Sequence, residues 1–363
     1  MRAEERLCKL FGFAHVVLFG RARSGLAALS EILAEETAGM PVLIPSNVCP
    51  AVPAALLAAG ASARLVPVSN ETGLVPDARL AAAMEGIGRR GVVMPTHLYG
   101  LFGEYQETRK AALRLGWFVV ENDTCAATLV NGTGRRVIGD ALLVSFGIPK
   151  TIEAGIGGAV LTNDAALARE LAACVAGWPP IGAAAEQVER DVILARRHLR
   201  ALGRLELAEP LLAIEAAHTR YSFPESMRAR LDAALDRLPD TLERRWERVR
   251  LWQEVLAPFA EQILVPPQPL SVPWRLVRRL RHANQRRGLV AALRQAGFDA
   301  GTNFPPLSEE LPHLFAGQNH PDAEQWGRTV INLWLSDDYD SARIGAASKV
   351  IGQGLLSAAK HGN

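Results

Sequence analysis

From His15 to Ser145 the chain alternates short apolar runs with helical stretches, and this alternation restricts the fold more than any other feature. The runs His15–Phe19, Val42–Pro45, Ala63–Val68, Gly91–Pro95, Trp117–Glu121 and Ala141–Val144 read as strands. Between them helices are expected over Leu26–Ala34, over Val52–Ala59 with Gly60 as C-cap, over Asp77–Glu85 and over Tyr105–Leu115. Strand followed repeatedly by helix calls for crossover connections, so the expected fold is α/β, a mainly parallel sheet with helices on both faces. In such sheets ligands gather at the C-terminal ends of the strands.

Several of those ends carry reactive residues. Ser46 and Cys49 follow one run, His97 another, Asp123 a third, and Ser145 closes a fourth. The first run opens into Gly20-Arg-Ala22-Arg23-Ser24-Gly25 at a helix start. Free backbone N–H groups, small residues and an arginine there suit an anion such as a phosphate. A Ser24-capped helix with two surface arginines is the other reading. Cys49 likewise reads as a small buried hydrophobe, and His97 as a satisfied strand-end histidine.

Beyond Ser145 the chain runs Ser145-Phe-Gly-Ile-Pro-Lys150 and returns through Gly155, Gly157 and Gly158. Gly147 and Pro149 force it off the sheet, and the later glycines let it back. One amine is thereby held at the strand ends. A lysine beside apolar walls is partly neutral and can attack an aldehyde to form a Schiff base, and pyridoxal phosphate is the aldehyde that fits. That chemistry also needs a carboxylate on the pyridine nitrogen and donors around the phosphate. Asp123 and the Ala22 to Ser24 turn supply both.

The remaining classes are narrowed by composition. A chain of 363 residues, 49% hydrophobic, can bury a large core. A net charge of +2 makes no case for a polyanion partner. The cysteines, Cys8, Cys49, Cys125 and Cys174, are far apart and form no metal-ligand pattern, so reduced thiols in the cytoplasm and no metal are expected. Residues 37–63 are uncharged but broken by Pro41, Pro45, Pro50 and Pro53, so no membrane span is expected, and the N-terminus lacks the apolar core of a secretory signal.

After Asp164 the spacing turns helical through His218, with a break at Trp178-Pro-Pro180. Two amphipathic helices kinked at Pro239 follow. Strands at Trp274–Leu280 and Val330–Leu335, with helices at Arg287–Ala296 and Ala342–Ala359, suggest a small C-terminal α+β domain. The expected division is 1–220 for the large domain with its helical tail, and 221–363 for the long helices and small domain. Arg275, Arg278, Arg279, Arg281, Arg286 and Arg287 form a solvated face or a substrate-anion site. No aromatics are interleaved for nucleic-acid stacking.

Taken together, Gly20-Arg-Ala-Arg-Ser-Gly-Leu, Pro45-Ser-Asn-Val-Cys-Pro, His97-Leu-Tyr-Gly, Glu121-Asn-Asp-Thr-Cys-Ala, Gly139-Asp140, Ser145-Phe-Gly-Ile-Pro-Lys, Gly155-Ile-Gly-Gly, Phe304-Pro-Pro-Leu and Asn332-Leu-Trp-Leu resemble, in order and spacing, the DegT-like sugar-nucleotide aminotransferases, fold-type I pyridoxal-phosphate enzymes. The resemblance implies Lys150 as the Schiff-base lysine and Asp123 as the pyridinium partner. It puts Ser145, Ala22, Arg23 and Ser24 around the phosphate, Cys49 against the cofactor ring, and His97 facing the site as a catalytic group. It implies amino transfer from an amino acid, with glutamate expected, to a keto sugar or cyclitol. A lyase or dehydratase, or a non-catalytic cofactor-binding regulator, would use the same cradle. A homodimer is expected, with Arg220-Tyr221 reaching the partner's site and the stripes of Leu231, Leu235, Leu242 and Trp246 at the interface; packing of these stripes on the small domain is the alternative. The chain departs from the pattern at Ala126, where Gln or His is usual, and at Ile156, where Glu is usual. It departs also over Trp178 to Ala217, which is more helical than the substrate loops of the family.

Overall fold

The computed structural model describes residues 2–36, 39, 41–88, 90–125, 129 and 138–360. The first part of the chain runs α1 (Ala3–Phe11), β1 (His15–Phe19), α2 (Ala22–Glu36), β2 (Pro41–Pro45), α3 (Ala51–Ala58), β3 (Ser62–Val66), α4 (Asp77–Ile87), β4 (Val92–Val93), α5 (Gln106–Leu115), β5 (Phe118–Asn122), β6 (Ala141–Ser145) and β7 (Gly158–Thr162). These strands form one seven-stranded sheet in the order β1-β7-β6-β5-β4-β2-β3. Strands β2 to β6 are parallel, as the alternation requires. β7 runs antiparallel between β6 and β1.

Both faces of the sheet are covered, which is why the central strands read as unbroken apolar runs. In β6, Ala141 and Leu143 pack with Leu26 and Leu29 of α2 and Ala54 of α3. Leu142 and Val144 point the other way and pack with Phe11 of α1.

Next come α6 (Ala165–Ala176), α7 (Ala183–Ala201), α8 (Leu205–Ala208), α9 (Leu211–Ala217), α10 (Arg228–Asp236) and α11 (Leu238–Leu256). Pro239 lies in the first turn of α11, where a missing N–H leaves no hydrogen bond unmade. It therefore starts a helix rather than kinking one, contrary to the expectation from sequence. Leu231, Leu235 and Leu242 are buried beside Phe11 and Leu142. These three are thus covered within the chain by the core of the large sheet, while Trp246 of the same stripe packs against the core of the four-stranded sheet.

The last part runs β8 (Ile263–Leu264), β9 (Leu276–Leu280), α12 (Ala283–Gln295), β10 (Ala300–Gly301), α13 (Leu307–Glu310), α14 (Pro321–Thr329), β11 (Val330–Leu333) and α15 (Ser341–Lys360). Its strands form a four-stranded antiparallel sheet in the order β10-β11-β9-β8. Trp252 of α11, Leu289 and Leu293 of α12, and Ile344 and Ile351 of α15 pack on Ile331 to make its core.

Helix α2 begins at Ala22, earlier than the apolar spacing suggested, because its first turn is pressed onto the sheet. A Cβ on Gly158 would stand 2.3 Å from the Ala22 nitrogen and 2.4 Å from its Cα. Only glycine allows that approach. Gly158→Val should therefore cost more than about 3 kcal/mol, since backbone must move to admit the side chain. Urea denaturation measures it; an unchanged midpoint would show that the helix and strand are not in contact.

Candidate active site

Three strand ends and one helix start converge at the C-terminal edge of the large sheet. Gly158 is the shared neighbour: it pairs with Phe19 of β1 on one side and with Ser145 of β6 on the other. Its missing side chain brings the start of α2 onto β7, whose first residue is also the pairing partner of Ser145. In that turn Ser24 is fully buried, and its Oγ has no hydrogen-bond partner among the described residues. Ser24 lies inside the helix, so it is not the N-cap. The Ser24 amide already donates to the Arg21 carbonyl at 3.1 Å, so what this turn offers an anion is the positive end of the helix and the buried Ser24 hydroxyl.

The two arginines of this turn are not on the surface. Arg23 is buried, donates to the His218 carbonyl at 3.1 Å and is ion-paired with Glu189 of α7. Arg21 pairs with the same carboxylate at 2.8 Å. Helix α7 therefore closes over the start of α2.

The Lys150 turn leaves β6 and returns to β7 as the glycine pattern indicated. The Lys150 amide donates to the Gly147 carbonyl at 2.8 Å, and Gly155 and Gly157 have φ of 92° and 108°, where side chains are disfavoured. The turn is pinned from outside: Trp274 donates its indole N–H to the Pro149 carbonyl at 2.8 Å, and Arg245 donates to the Lys150 carbonyl at 3.2 Å. The Lys150 Nζ lies 4.9 Å from the centre of the Trp274 ring, which is the apolar wall expected beside it.

Asp123 follows β5, is fully buried, and donates its amide to the Leu143 carbonyl of β6 at 2.9 Å. Cys125 is buried two residues on and feels both Asp123 and Lys150 electrostatically. Cys49 also feels Lys150, and opens to solvent in a cleft of about 820 Å³ whose walls include Arg23, Ile148, Arg196, Arg275 and Trp334. It is not the buried hydrophobe of the simpler reading. Ala126 lies outside the described residues.

His97 lies at the neighbouring strand end, where its amide donates to the Asn122 carbonyl at 3.0 Å, and its ring is buried and stacks on Phe102 with ring centres 4.8 Å apart. Its Nδ1 accepts from the Gly103 amide at 3.1 Å and its Nε2 meets the Glu121 carboxylate at 2.9 Å. Glu121 also accepts from the amides of Ile138 and Gly139. Both ring nitrogens are engaged in holding strand ends together. Tyr221 and Arg220 are likewise tied within their own chain, to His218 and to Glu31.

Helix α7 supplies what the sequence reading missed. Arg196 is buried and bridges Glu215 of α9 at 2.7 Å and Glu310 of α13 at 3.1 Å, which fixes α7 as one wall of the cleft. Of the arginine-rich stretch only Arg275 reaches the cleft; Arg278, Arg279, Arg281 and Arg286 each donate to a backbone carbonyl. Among the described residues no cluster could hold a metal ion, and no helix is long and apolar enough to cross a membrane.

The DegT/DnrJ/EryC1/StrS aminotransferase family profile matches residues 2–349. No curated protein matches the chain. Among solved structures, DesI in the presence of its TDP-sugar product is 22% identical, with a TM-score of 0.77 over 99% of this chain and 86% of that one. PseC of Helicobacter pylori, an aminotransferase involved in the biosynthesis of pseudoaminic acid, is 16% identical, with a TM-score of 0.77 over 98% of this chain and 90% of that one. The aminotransferase TlmJ of Streptoalloteichus hindustanus is 19% identical, with a TM-score of 0.74 over 98% and 90%. Likeness at these identities is a likeness of fold.

The Cys49 thiol is open to the cleft, yet the protein around it desolvates it and raises its pKa above the ordinary 9.0. Less thiolate is then present at neutral pH than in a free cysteine. Iodoacetamide should modify Cys49 before the buried Cys125, slowly at neutral pH and faster as the solution is made alkaline. Peptide mass mapping reads the order; rapid labelling at neutral pH would contradict the desolvation.

Proposed function

The chain belongs to the DegT/DnrJ/EryC1/StrS aminotransferase family of pyridoxal-phosphate-dependent enzymes, and we propose that it moves an amino group from L-glutamate to the ketone of a nucleotide-linked sugar or a cyclitol. The observation that carries this reading is the meeting of Lys150, Asp123 and the α2 cradle at one sheet edge. The sugar class is supported by DesI with its TDP-sugar product and by PseC, which serves pseudoaminic acid biosynthesis.

The donor set fits pyridoxal phosphate. The unpartnered Ser24 Oγ, the first turn of α2 carrying Ala22 and Arg23, and Ser145 beside it suit the phosphate. Asp123, buried at the end of the neighbouring strand β5, would accept a hydrogen bond from the pyridine nitrogen and hold a proton there. Cys49 would lay its sulfur on the ring face.

When bound, the cofactor supplies an electron sink for the carbanion formed at the donor's Cα. The work of the protein is then proton handling and exclusion of water. Lys150 would hold the cofactor through Nζ and, once displaced by the donor's amine, take the proton from the donor's Cα and return it on the cofactor side. Trp274 keeps that amine in place and shields it. His97 has no proton-transfer role in this reading, because Gly103 and Glu121 occupy its nitrogens.

Lys150→Ala should retain no covalently trapped cofactor after borohydride reduction and lose at least about a thousandfold in glutamate turnover. Asp123→Asn should fold and bind cofactor but lose about two to four orders of magnitude in rate. Mass spectrometry and single-turnover kinetics with L-glutamate check both. Parent-like turnover by the purified Lys150→Ala protein would falsify the assignment.

The partner we propose is a second copy of the chain. Its attachment surface is not the α10 stripe but exposed apolar residues near the cleft: Ile148 at 70% exposure, Leu194 at 60%, Leu202 at 62% and Ile214 at 40%. Sedimentation at micromolar concentration should give a dimer, and Leu194→Lys with Leu202→Lys should shift it towards monomer. An active species that sediments as a monomer refutes the dimer.

A further inference from the structure

A second cavity, of about 320 Å³, shares Pro149, Arg275 and Trp334 with the main cleft but is otherwise walled by different residues. Arg237 at the head of α11, Arg244 and Arg245 on α11, and Arg275 before β9 face it, against the carboxylates of Glu153 and Asp337. Asp337 is already paired, with Arg244 at 3.3 Å and Arg248 at 3.1 Å. One exposed carboxylate, Glu153, is left for the other three arginines.

Two of these arginines carry unspent donors. Arg275 is only 6% exposed, forms no ion pair among the described residues, and its Nε has no hydrogen-bond partner there. It packs against two indoles, with its Cζ 4.5 Å from the Trp274 ring centre and 4.1 Å from that of Trp334. Stacking occupies the guanidinium faces and leaves the in-plane N–H groups for a ligand. Arg245 spends one N–H on the Lys150 carbonyl, while its Nη1 is buried without a partner among the described residues. A buried cation without an anion is costly, and planar N–H forks match the oxygens of carboxylates and phosphates.

We propose that this second cavity binds a small oxyanion, a phosphate or carboxylate group, between Arg245 and Arg275. The volume suits a small molecule and not a nucleotide. The same contacts tie its ligand to the lysine turn: Arg245 holds the Lys150 carbonyl, and Trp274 holds both the Pro149 carbonyl and the Arg275 guanidinium. An anion seated here is therefore joined to the backbone of the lysine turn through Arg245, and to the lysine amine through Arg275 and Trp274.

Calorimetric titration of the protein saturated with pyridoxal phosphate, so that the α2 cradle is filled, tests the proposal with two probes. Inorganic phosphate is one. Glutarate, a dicarboxylate with no carbonyl to react, is the other. At least one should bind with one site per chain, and which of them binds identifies the source of the oxyanion. Arg245→Met should weaken binding about tenfold or more, the loss expected for a charge-assisted contact. Should that variant fold poorly, Thr241→Met, which fills the cavity from α11, and Arg237→Gln, on its exposed rim, should weaken binding too. Arg197→Met, which alters only the main-cleft side of Arg275, should leave binding unchanged. Absence of binding by both probes, indifference to the cavity variants, or loss of binding in Arg197→Met would each overturn the proposal. None of these readouts depends on turnover, so their failure is separate from any failure of the proposed aminotransfer.

Discussion

Much of this protein depends on a place where a side chain is forbidden. Gly158 opens β7, pairs with β1 and β6 at once, and admits the start of α2 to within touching distance of the strand. Because β7 is antiparallel to both neighbours, its first residue lies level with the last residues of β1 and β6. The beginning of one strand, the ends of two others and the positive end of a helix are thereby gathered at a single point. A parallel sheet alone brings strand ends together; the reversed strand adds the return of the lysine turn to the same edge.

The large sheet was legible because its information is local. Strands β2 and β6 are nearly unbroken apolar runs, β1, β3 and β5 each carry a run of at least two apolar residues, and helices α2 to α5 have their own spacing and stop signals. Even so, β4 spans only Val92–Val93, although Thr96 still bridges Asn122 of β5 in the same register farther along. The start of α2 is hidden in the sequence: its first turn is polar and small, and contact with β7, rather than apolar spacing, accompanies its helicity. Pro239 is visible in the sequence, but whether a proline bends a helix or begins one depends on whether the helix before it has already ended, here at Arg237, which spacing does not reveal.

The site was legible in part. Lys150, Asp123, Ser145 and the Ala22 to Ser24 turn stand at strand and helix ends that sequence alone could locate, and the structure gathers these elements. His97 stands at such an end too, yet its ring faces Glu121 and Gly103, and nothing in the local sequence distinguishes one facing from the other. The walls were not legible. Arg196 is held by Glu215 and Glu310, and Arg275 stacks on its chain neighbour Trp274 and on Trp334; Glu310 and Trp334 lie far along the chain, where local sequence does not reveal them. A run of six arginines in the sequence looks uniform; the structure sorts out Arg275, which faces two cavities, from Arg278, Arg279, Arg281 and Arg286, which tie down backbone.

Trp274 touches the lysine amine, the carbonyl before that lysine, and the guanidinium between the cavities. A substitution there would alter several properties in one step, so natural selection could not adjust any one of them separately through this residue. The outer arginines of α7, such as Arg197 and Arg200, border the cleft without touching the lysine turn. Divergence towards new acceptors has an open route through α7, while the tryptophan is a point of pleiotropy that holds the old chemistry in place.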